Sequence, residues 1–418
     1  MGWFSILLNE HKTLTREHYK IFGISWAGWV FDFYDLMLFT YLTVALQADL
    51  GLTPMMISLC ISVSLLATAV GGIICGILGD KYGRKRVLQW TIIVYSIGAF
   101  LCGFAWSFGS LVLFRIITGI GVGGEWATGQ TFINETFPPH LRGRFGALMQ
   151  SGAPVGIILA AIVGNIISPI IGWRFAFMLS VIPAFIVILI RRRLNESDVW
   201  IENKKENKNP GSIAEVKALI SQGYRKYFII SLILCIFGMA AYWFTYSWLP
   251  TYLSKERGLT IVGSTIGIII MQCGDLVGYS SFGIVSEKIG KRLSFTIYSF
   301  IMAIGITLIT LFWNQVSADN LILLVLFIVG VGVGFFSGFG PLFSELFPTK
   351  IRNTAVGTIF NLARGVQFVT PLLITLISSY YDLSYGIFVA AIFALLTGIW
   401  IWVFPNTDNI DINELDEC

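Results

Sequence analysis

Long apolar runs alternate along this chain with short basic or polar breaks. Runs of about 20 residues, the length a helix needs to cross a bilayer, fall near 21–46, 57–79, 88–108, 110–134, 143–170, 173–190, 226–250, 262–285, 293–313, 320–347, 354–379 and 384–404. They are continuously apolar, whereas strands of a membrane barrel would alternate at period two over about ten residues. The pattern predicts an all-α membrane protein with twelve transmembrane helices. One long polar stretch, 191–225, splits the chain into two bundles of six, 1–190 and 226–405, and a short acidic tail follows at 406–418. Within the linker, Ile213 to Ile220 is expected to form a short surface helix.

The two halves repeat each other. Gly76-Ile-Leu-Gly79-Asp80-Lys81-Tyr-Gly83-Arg84-Lys85-Arg86, after the second run, returns after the eighth as Gly283-Ile-Val-Ser286-Glu287-Lys288-Ile-Gly290-Lys291-Arg292. Asn134-Glu135-Thr-Phe137-Pro138 with Arg142-Gly143 returns as Ser344-Glu345-Leu-Phe347-Pro348 with Arg352-Asn353. Duplicated halves moving about a central site are a common build for solute carriers.

Composition agrees: 56% of residues are hydrophobic, 12% are charged and the mean hydropathy is +0.77, against a charged fraction of roughly a quarter in soluble domains. Basic residues concentrate in alternate loops, namely Lys12 to Lys20, Lys81 to Arg86, Arg142 and Arg144, Arg191 to Lys226, Lys288 to Arg292, and Lys350 with Arg352. The positive-inside rule places those loops, and both termini, in the cytoplasm. The net charge of +4 thus follows membrane topology, and no cluster of bases with interleaved aromatics points to nucleic acid. Met1 to Lys20 is polar and leads straight into the first run, so the first helix is expected to serve as its own insertion signal. The cysteines, Cys60, Cys75, Cys102, Cys235, Cys273 and Cys418, show no metal-ligand spacing. No metal and no cofactor is expected.

The duplicated Gly-x-x-x-Asp-Lys-x-Gly-Arg-Lys-Arg loop, the Arg115-x-x-x-Gly119-x-Gly121-x-Gly123-Gly124 run and the Glu-x-Phe-Pro-x-x-x-Arg signature resemble the major facilitator superfamily over essentially the whole chain. Within it, Trp29-Val-Phe-Asp32-Phe-Tyr-Asp35, Gly124-Glu125-Trp126 and Met149-Gln150-Ser151-Gly152 are similar to the proton-coupled organic-acid symporters of the sialate, lactate and aromatic-acid branches. In span seven this chain reads Tyr242-Trp-Phe-Thr-Tyr246-Ser-Trp248-Leu-Pro250, where lactate permeases of that branch carry an Asn/His/Gln-Asp signature. The resemblance implies a twelve-helix carrier, working as a monomer by alternating access.

Gly119, Gly121 and Gly123 follow no strand, so they are no dinucleotide loop. Their counterparts Gly330, Gly332 and Gly334 suit close helix packing in both halves. What the halves do not share is charge. Ionisable residues at membrane depth are costly and point to function; here they are Asp32, Asp35, Arg115, Glu125, Asp275 and Arg364. Depth counting pairs Asp35 with Arg115 in the outer half and sets Glu125 near Asp32. None of the three histidines lies at membrane depth, so proton coupling falls to Asp32, Asp35 and Glu125, with Arg115 as their counter-ion. Carboxylates serve sodium equally, and bundle-stabilising ion pairs are the plainer alternative.

In the second half, Arg364 in span eleven has Asn361 one turn before it and Gln367 about one turn after. A fixed guanidinium at midplane suits a carboxylate, with Gln272, Asp275, Tyr242 and Tyr246 completing the pocket. A structural pair between Arg364 and Asp275 is the rival reading. The repeated loops are expected to form a cytoplasmic gate: Gly76, Asp80, Gly83, Arg84, Glu135 and Arg142 in the first half, and Glu287, Arg292, Glu345 and Arg352 in the second, with Asp80 paired to Arg84 or Arg142. The expected function is proton-coupled symport of a small organic anion across the plasma membrane. The alternative is a sugar porter, or a carrier of another neutral or cationic solute. No constellation of nucleophile, base or metal ligands suggests an enzyme.

Overall fold

Helices make up the whole of the regular structure in the computed structural model, which describes residues 14–182, 185, 196, 200, 201, 219, 223–318, 321–347 and 349–405. The side chains of Asp80, Asn134, His140, Arg142, Arg144 and Arg352, most of the linker and the tail lie outside the described residues, as does the expected helix at Ile213 to Ile220 save for Leu219.

The first bundle comprises α1 (Arg16–Leu50), α2 (Pro54–Tyr82), α3 (Arg84–Cys102), α4 (Phe108–Thr136), α5 (Pro139–Gln150 and Gly152–Ala161, prolonged through wider turns at Ile162–Ile167 to Ser168–Ile171) and the start of α6 (Trp173–Leu179). The second comprises α7 (Arg225–Tyr246), α8 (Ile261–Ile289), α9 (Lys291–Leu311), α10 (Ile322–Gly332 and Phe336–Ser344), α11 (Thr349–Val366 and Val369–Tyr380) and α12 (Leu383–Trp400). Among the described residues, ten of these spans are long and apolar enough to cross a membrane. The third is a 19-residue helix opened by Arg84, Lys85 and Arg86, which lower its hydropathy.

The repeat has a backbone cause. Gly83 (φ 99°) and Gly290 (φ 84°) occupy equivalent junctions between α2 and α3 and between α8 and α9, where L side chains are disfavoured. Tight reversal there brings the last turn of one span beside the first turn of the next. Thr53 starts α2, its hydroxyl accepting from Met56 N at 3.3 Å, with Pro54 in the first turn.

The two glycine stripes do the same job in each half. A Cβ on Gly119 would lie 2.5 Å from Ser64 O and one on Gly123 1.9 Å from Thr68 O, both in α2; one on Gly121 would lie 2.4 Å from Tyr95 N in α3. In the second half, Gly330 faces Met271 O of α8 at 2.0 Å, Gly332 faces Met302 N of α9 at 2.4 Å, and Gly334 faces Gly278 O of α8 at 2.5 Å. Thus α4 is wedged between α2 and α3 as α10 is between α8 and α9. Van der Waals contact at backbone distance holds each trio where lipid supplies no hydrophobic drive.

The bundles meet along α2 with α11 and α5 with α8, and α1, α4 and α7 close the centre. Ser58 Oγ donates to Pro371 O at 2.9 Å and lies 2.6 Å from Thr375 Oγ1. Ala69 abuts Gly365, and Gly72 abuts the Asn361 amide. These small residues let α2 and α11 approach closely, with the Asn361 amide seated on Gly72.

Candidate functional site

Around the centre of the molecule, a narrow cavity of about 20 Å³ is lined by both bundles: Trp29, Phe33, Gln150 and Ala153 from the first, and Met239, Tyr242, Trp243, Tyr279, Phe336, Phe360 and Arg364 from the second. Its walls are mainly aromatic, and among the described residues Arg364 is the one charged residue of its lining.

Arg364 is 2% exposed. Its Nη1 lies 3.8 Å from Asp32 Oδ2, an ion pair joining α11 to α1 and hence one bundle to the other. The rival pairing with Asp275 is not made: Asp275 instead accepts the Tyr246 hydroxyl on Oδ1 at 2.8 Å and Oδ2 at 2.9 Å. At 3.8 Å the Arg364 pair is too long for a hydrogen bond, and Arg364 Nη2 and both Asp32 oxygens have no hydrogen-bond partner. Coulomb attraction at such a distance is about 4 kcal/mol at an intermediate dielectric, comparable with the several kcal/mol lost per ion in leaving water. Such a pair contributes little net stability and breaks readily when a better partner arrives.

More unpaired polar atoms gather nearby. Trp29 Nε1, Trp126 Nε1, Tyr242 Oη, Gln272 Oε1 and Nε2, and Asn361 Oδ1 are all buried without a hydrogen bond. A buried polar group left unsatisfied costs about 1–3 kcal/mol; of these, Trp29 and Tyr242 line the cavity beside Arg364 and could serve a polar guest there. The aromatic frame is tight: Tyr242 stacks on Tyr246 at 4.0 Å, Trp29 packs edge-on to Phe33 at 4.8 Å, and the Arg364 guanidinium lies 5.7 Å from both the Trp29 and Phe33 rings. One turn before Arg364, Phe360 of α11 stacks on Trp126 of α4 at 3.8 Å and 16°. That stack closes the cavity towards the face carrying the basic loops.

Several expected residues stand differently. Asp35 and Arg115 are both buried but form no ion pair within 4.0 Å, for the Arg115 guanidinium lies over the Phe39 ring at 4.6 Å, one turn further along α1. Glu125 is fully buried, accepts the Thr91 hydroxyl of α3 at 2.7 Å and does not line the cavity. Gln367 is not on the cavity face: its amide donates to Ile236 O of α7 at 3.2 Å and Ala363 O at 3.1 Å and accepts from Thr370 at 2.8 Å. The helix breaks after Val366, and this swings Gln367 towards α7. Asn361 is wedged on Gly72. Gln272 and Asp275 lie on α8 outside the lining.

At the basic face, Arg84 binds Glu135 through Nε at 3.2 Å and Nη2 at 2.9 Å, and Lys291 binds both oxygens of Glu345 at 2.6 Å. These equivalent pairs tie α3 to α4 and α9 to α10 within each bundle. Glu196 of the linker accepts from Arg84 N at 3.0 Å and Lys85 N at 3.2 Å, capping α3. Arg292 donates to Phe404 O beyond α12, and Glu287 is exposed. Gly76 has open space where a Cβ would sit. The Asp80 pairing and the side chains of Arg142 and Arg352 fall outside the described residues.

Sequence reasoning missed Trp29, Phe33, Phe360 and Phe336 as lining residues. Helical spacing carried a signal for two of them: Trp29 lies three residues before Asp32 and Phe360 four before Arg364, each on the same face as the charge.

Two pseudo-symmetric bundles around an enclosed, charge-bearing cavity define a membrane carrier. Residues 24–281 match the family described as Major Facilitator Superfamily, and residues 201–418 the one described as Sugar (and other) transporter. The chain is 34% identical to the sialic acid transporter NanX of Escherichia coli (strain K12), over 91% of this chain and 93% of that one. It is 29% identical to a probable 4-methylmuconolactone transporter of Cupriavidus pinatubonensis, over 98% and 95%, and 28% identical to the niacin transporter NiaP of Acinetobacter baylyi, over 93% of each. A crystal structure of the D-xylose-proton symporter aligns with a TM-score of 0.76 over 94% of this chain and 99% of that one; at 20% identity the likeness is one of fold. The chain belongs to the Major Facilitator Superfamily. It is a multi-pass membrane transporter of a small molecule and not an enzyme.

Proposed function

We propose that this protein is a proton-coupled symporter of a small organic anion, a monocarboxylate or related acid, in the plasma membrane with both termini in the cytoplasm. The observation that carries this reading is Arg364: a buried guanidinium, the one charge lining a central aromatic cavity, with Nη2 unpaired. A fork of N–H donors in a water-poor site is complementary to a carboxylate. Relatives named for sialic acid, 4-methylmuconolactone and niacin support an organic acid as cargo.

Asp32, Asp35 and Glu125 supply the proton sites, with Arg115 as a nearby cation. A buried acid made neutral by a proton passes through an occluded state at lower cost than a charged one. In the cycle, the anion docks on Arg364, a proton neutralises an acid of the first bundle, the bundles rock, and the Trp126–Phe360 stack and the loop contacts at the basic face part to release both. A monomer holds every group this needs.

Uptake into proteoliposomes with an imposed pH gradient tests the reading. Accumulation of a labelled monocarboxylate that follows the gradient, and that Glu125→Gln diminishes, is the expected result. Uptake indifferent to the gradient, or competed by xylose and not by carboxylates, would move the assignment to the sugar-porter alternative.

A further inference from the structure

A second polar cluster adjoins the cavity wall, and the transport cycle leaves it without a role. We propose that Gln272 and Asp275 of α8 form a second recognition subsite, reached past Tyr242, for an O–H or N–H donor at the end of the substrate remote from the carboxylate held by Arg364. The transported acid is thus one that carries a hydroxyl, amide or ammonium group. This rests on the organic-acid reading above and specifies its substrate.

Helical spacing and the cavity lining together place the cluster. Gln272, Asp275 and Tyr279 recur at intervals of three and four on α8, which puts them on one face, and Tyr279 lines the central cavity. The polar pair therefore continues the cavity face of α8, away from the basic loop that follows this helix. On α7, Tyr242 lines the cavity and stacks on Tyr246 at 4.0 Å, and the Tyr246 hydroxyl donates to Asp275 at 2.8 Å. Arg364 and Asp275 are both charged neighbours of Tyr242, so one ring adjoins both sites. Tyr41 of α1, a further neighbour of Asp275, brings the first bundle to the same place.

What is unpaired there is mainly acceptor capacity. A carboxylate offers about four lone-pair sites, whereas Asp275 meets a single phenolic proton, shared between its oxygens at 2.8 and 2.9 Å. Among the described residues, no basic side chain lies within 4.0 Å of it. Gln272 is fully buried with both amide atoms unpaired, and the Tyr242 hydroxyl is buried and unpaired as well. A close crossing fixes the spot: a Cβ on Gly330 of α10 would stand 2.0 Å from Met271 O and 2.9 Å from Asp275 Oδ1. Unsatisfied buried groups cost stability, so their gathering on adjoining positions indicates that the missing partner is a guest. The cavity of about 20 Å³ has room for about one water, and a guest therefore enters by displacing the Tyr242 ring. A donor then meets the Asp275 oxygens, Gln272 Oε1 and Tyr242 Oη. A methyl end would bury the same groups with no partner, the arrangement that discriminates most sharply against an analogue lacking its polar group.

Titration calorimetry on the purified full-length protein tests this with butyrate, pentanoate and hexanoate and with their ω-hydroxy and ω-amino counterparts. At the chain length that spans the two sites, the donor-ended acid is expected to bind about ten- to a hundredfold more tightly than the methyl-ended one, as for a hydrogen bond to a charged group. A gain from the hydroxyl identifies a neutral donor and a gain from the amine alone a zwitterion; either upholds the subsite. Asp275→Asn should remove most of the preference. Gln272→Met, similar in size, should reduce it several-fold while raising the melting temperature, because two unsatisfied buried atoms are withdrawn; a merely structural glutamine would leave the preference unchanged. Equal binding of methyl- and donor-ended acids at every length, or a preference untouched in both variants, overturns the subsite and leaves the carboxylate reading standing. A wild type that binds none of these acids, nor nicotinate, removes that reading and the subsite with it. Should Asp275→Asn fail to fold, the wild-type series and Gln272→Met still decide.

Discussion

The fourth and tenth helices are built to one plan and used for two purposes. Each presents three glycines at alternate positions, and every one of the six lies within 2.5 Å of a neighbour's backbone at the point where a Cβ would stand. Yet α4 carries Arg115 and Glu125, both buried, while α10 offers Leu326 and the Phe335-Phe336 pair at the matching places. Packing therefore needs the glycines and not the charges. The second bundle instead brings Arg364 to the cavity on α11. Asp32 on one body and Arg364 on the other, 3.8 Å apart, make the interface a place where buried charge is balanced.

The largest effect should come from breaking that balance. Arg364→Ala leaves Asp32 buried and uncompensated; at about 3–5 kcal/mol for a lost partner, substrate affinity or uptake should fall at least about a hundredfold, read by proteoliposome flux. Next come the shared stripes. Gly123→Val and Gly330→Val both force a side chain into a carbonyl, at 1.9 Å and 2.0 Å, and should each destabilise by about 1–3 kcal/mol or more. Similar losses of melting temperature in the two variants would support equivalence of the halves, and a tolerant α10 would break it.

A smaller change is expected from Tyr246→Phe, which withdraws the hydroxyl from buried Asp275 and should lower unfolding stability by about 1–3 kcal/mol. The smallest should be found at the basic face. A double-mutant cycle on Lys291 and Glu345, whose side chains are 21% and 18% exposed, should give a coupling below about 1 kcal/mol. The equivalent Arg84–Glu135 pair, at 7% and 10% exposed, should couple more strongly.

Much of this was legible in the sequence because membranes simplify the problem: a continuous apolar run has few fates, and repeated glycines read directly as junctions and close crossings. The central cation was legible too, since a midplane arginine has few structural uses. The details of pairing were not. Counting depth along two helices gave Asp35 and Arg115 the same level, but rotation about the axes sets Arg115 over Phe39. Helical spacing puts Gln367 on the Arg364 face, and the break after Val366 turns it away. Phe360 and Trp126 looked like ordinary apolar positions; only the approach of α4 to α11 reveals their stack. Levels come from rise per residue, whereas partners depend on helix rotation and on where helices break.

The most direct test of the account is uptake of a labelled monocarboxylate into liposomes carrying wild type or Arg364→Gln, with and without an inward proton gradient. The account predicts gradient-driven accumulation by the wild type and its loss in the variant. Accumulation that persists without Arg364, or that ignores the gradient in the wild type, would contradict it.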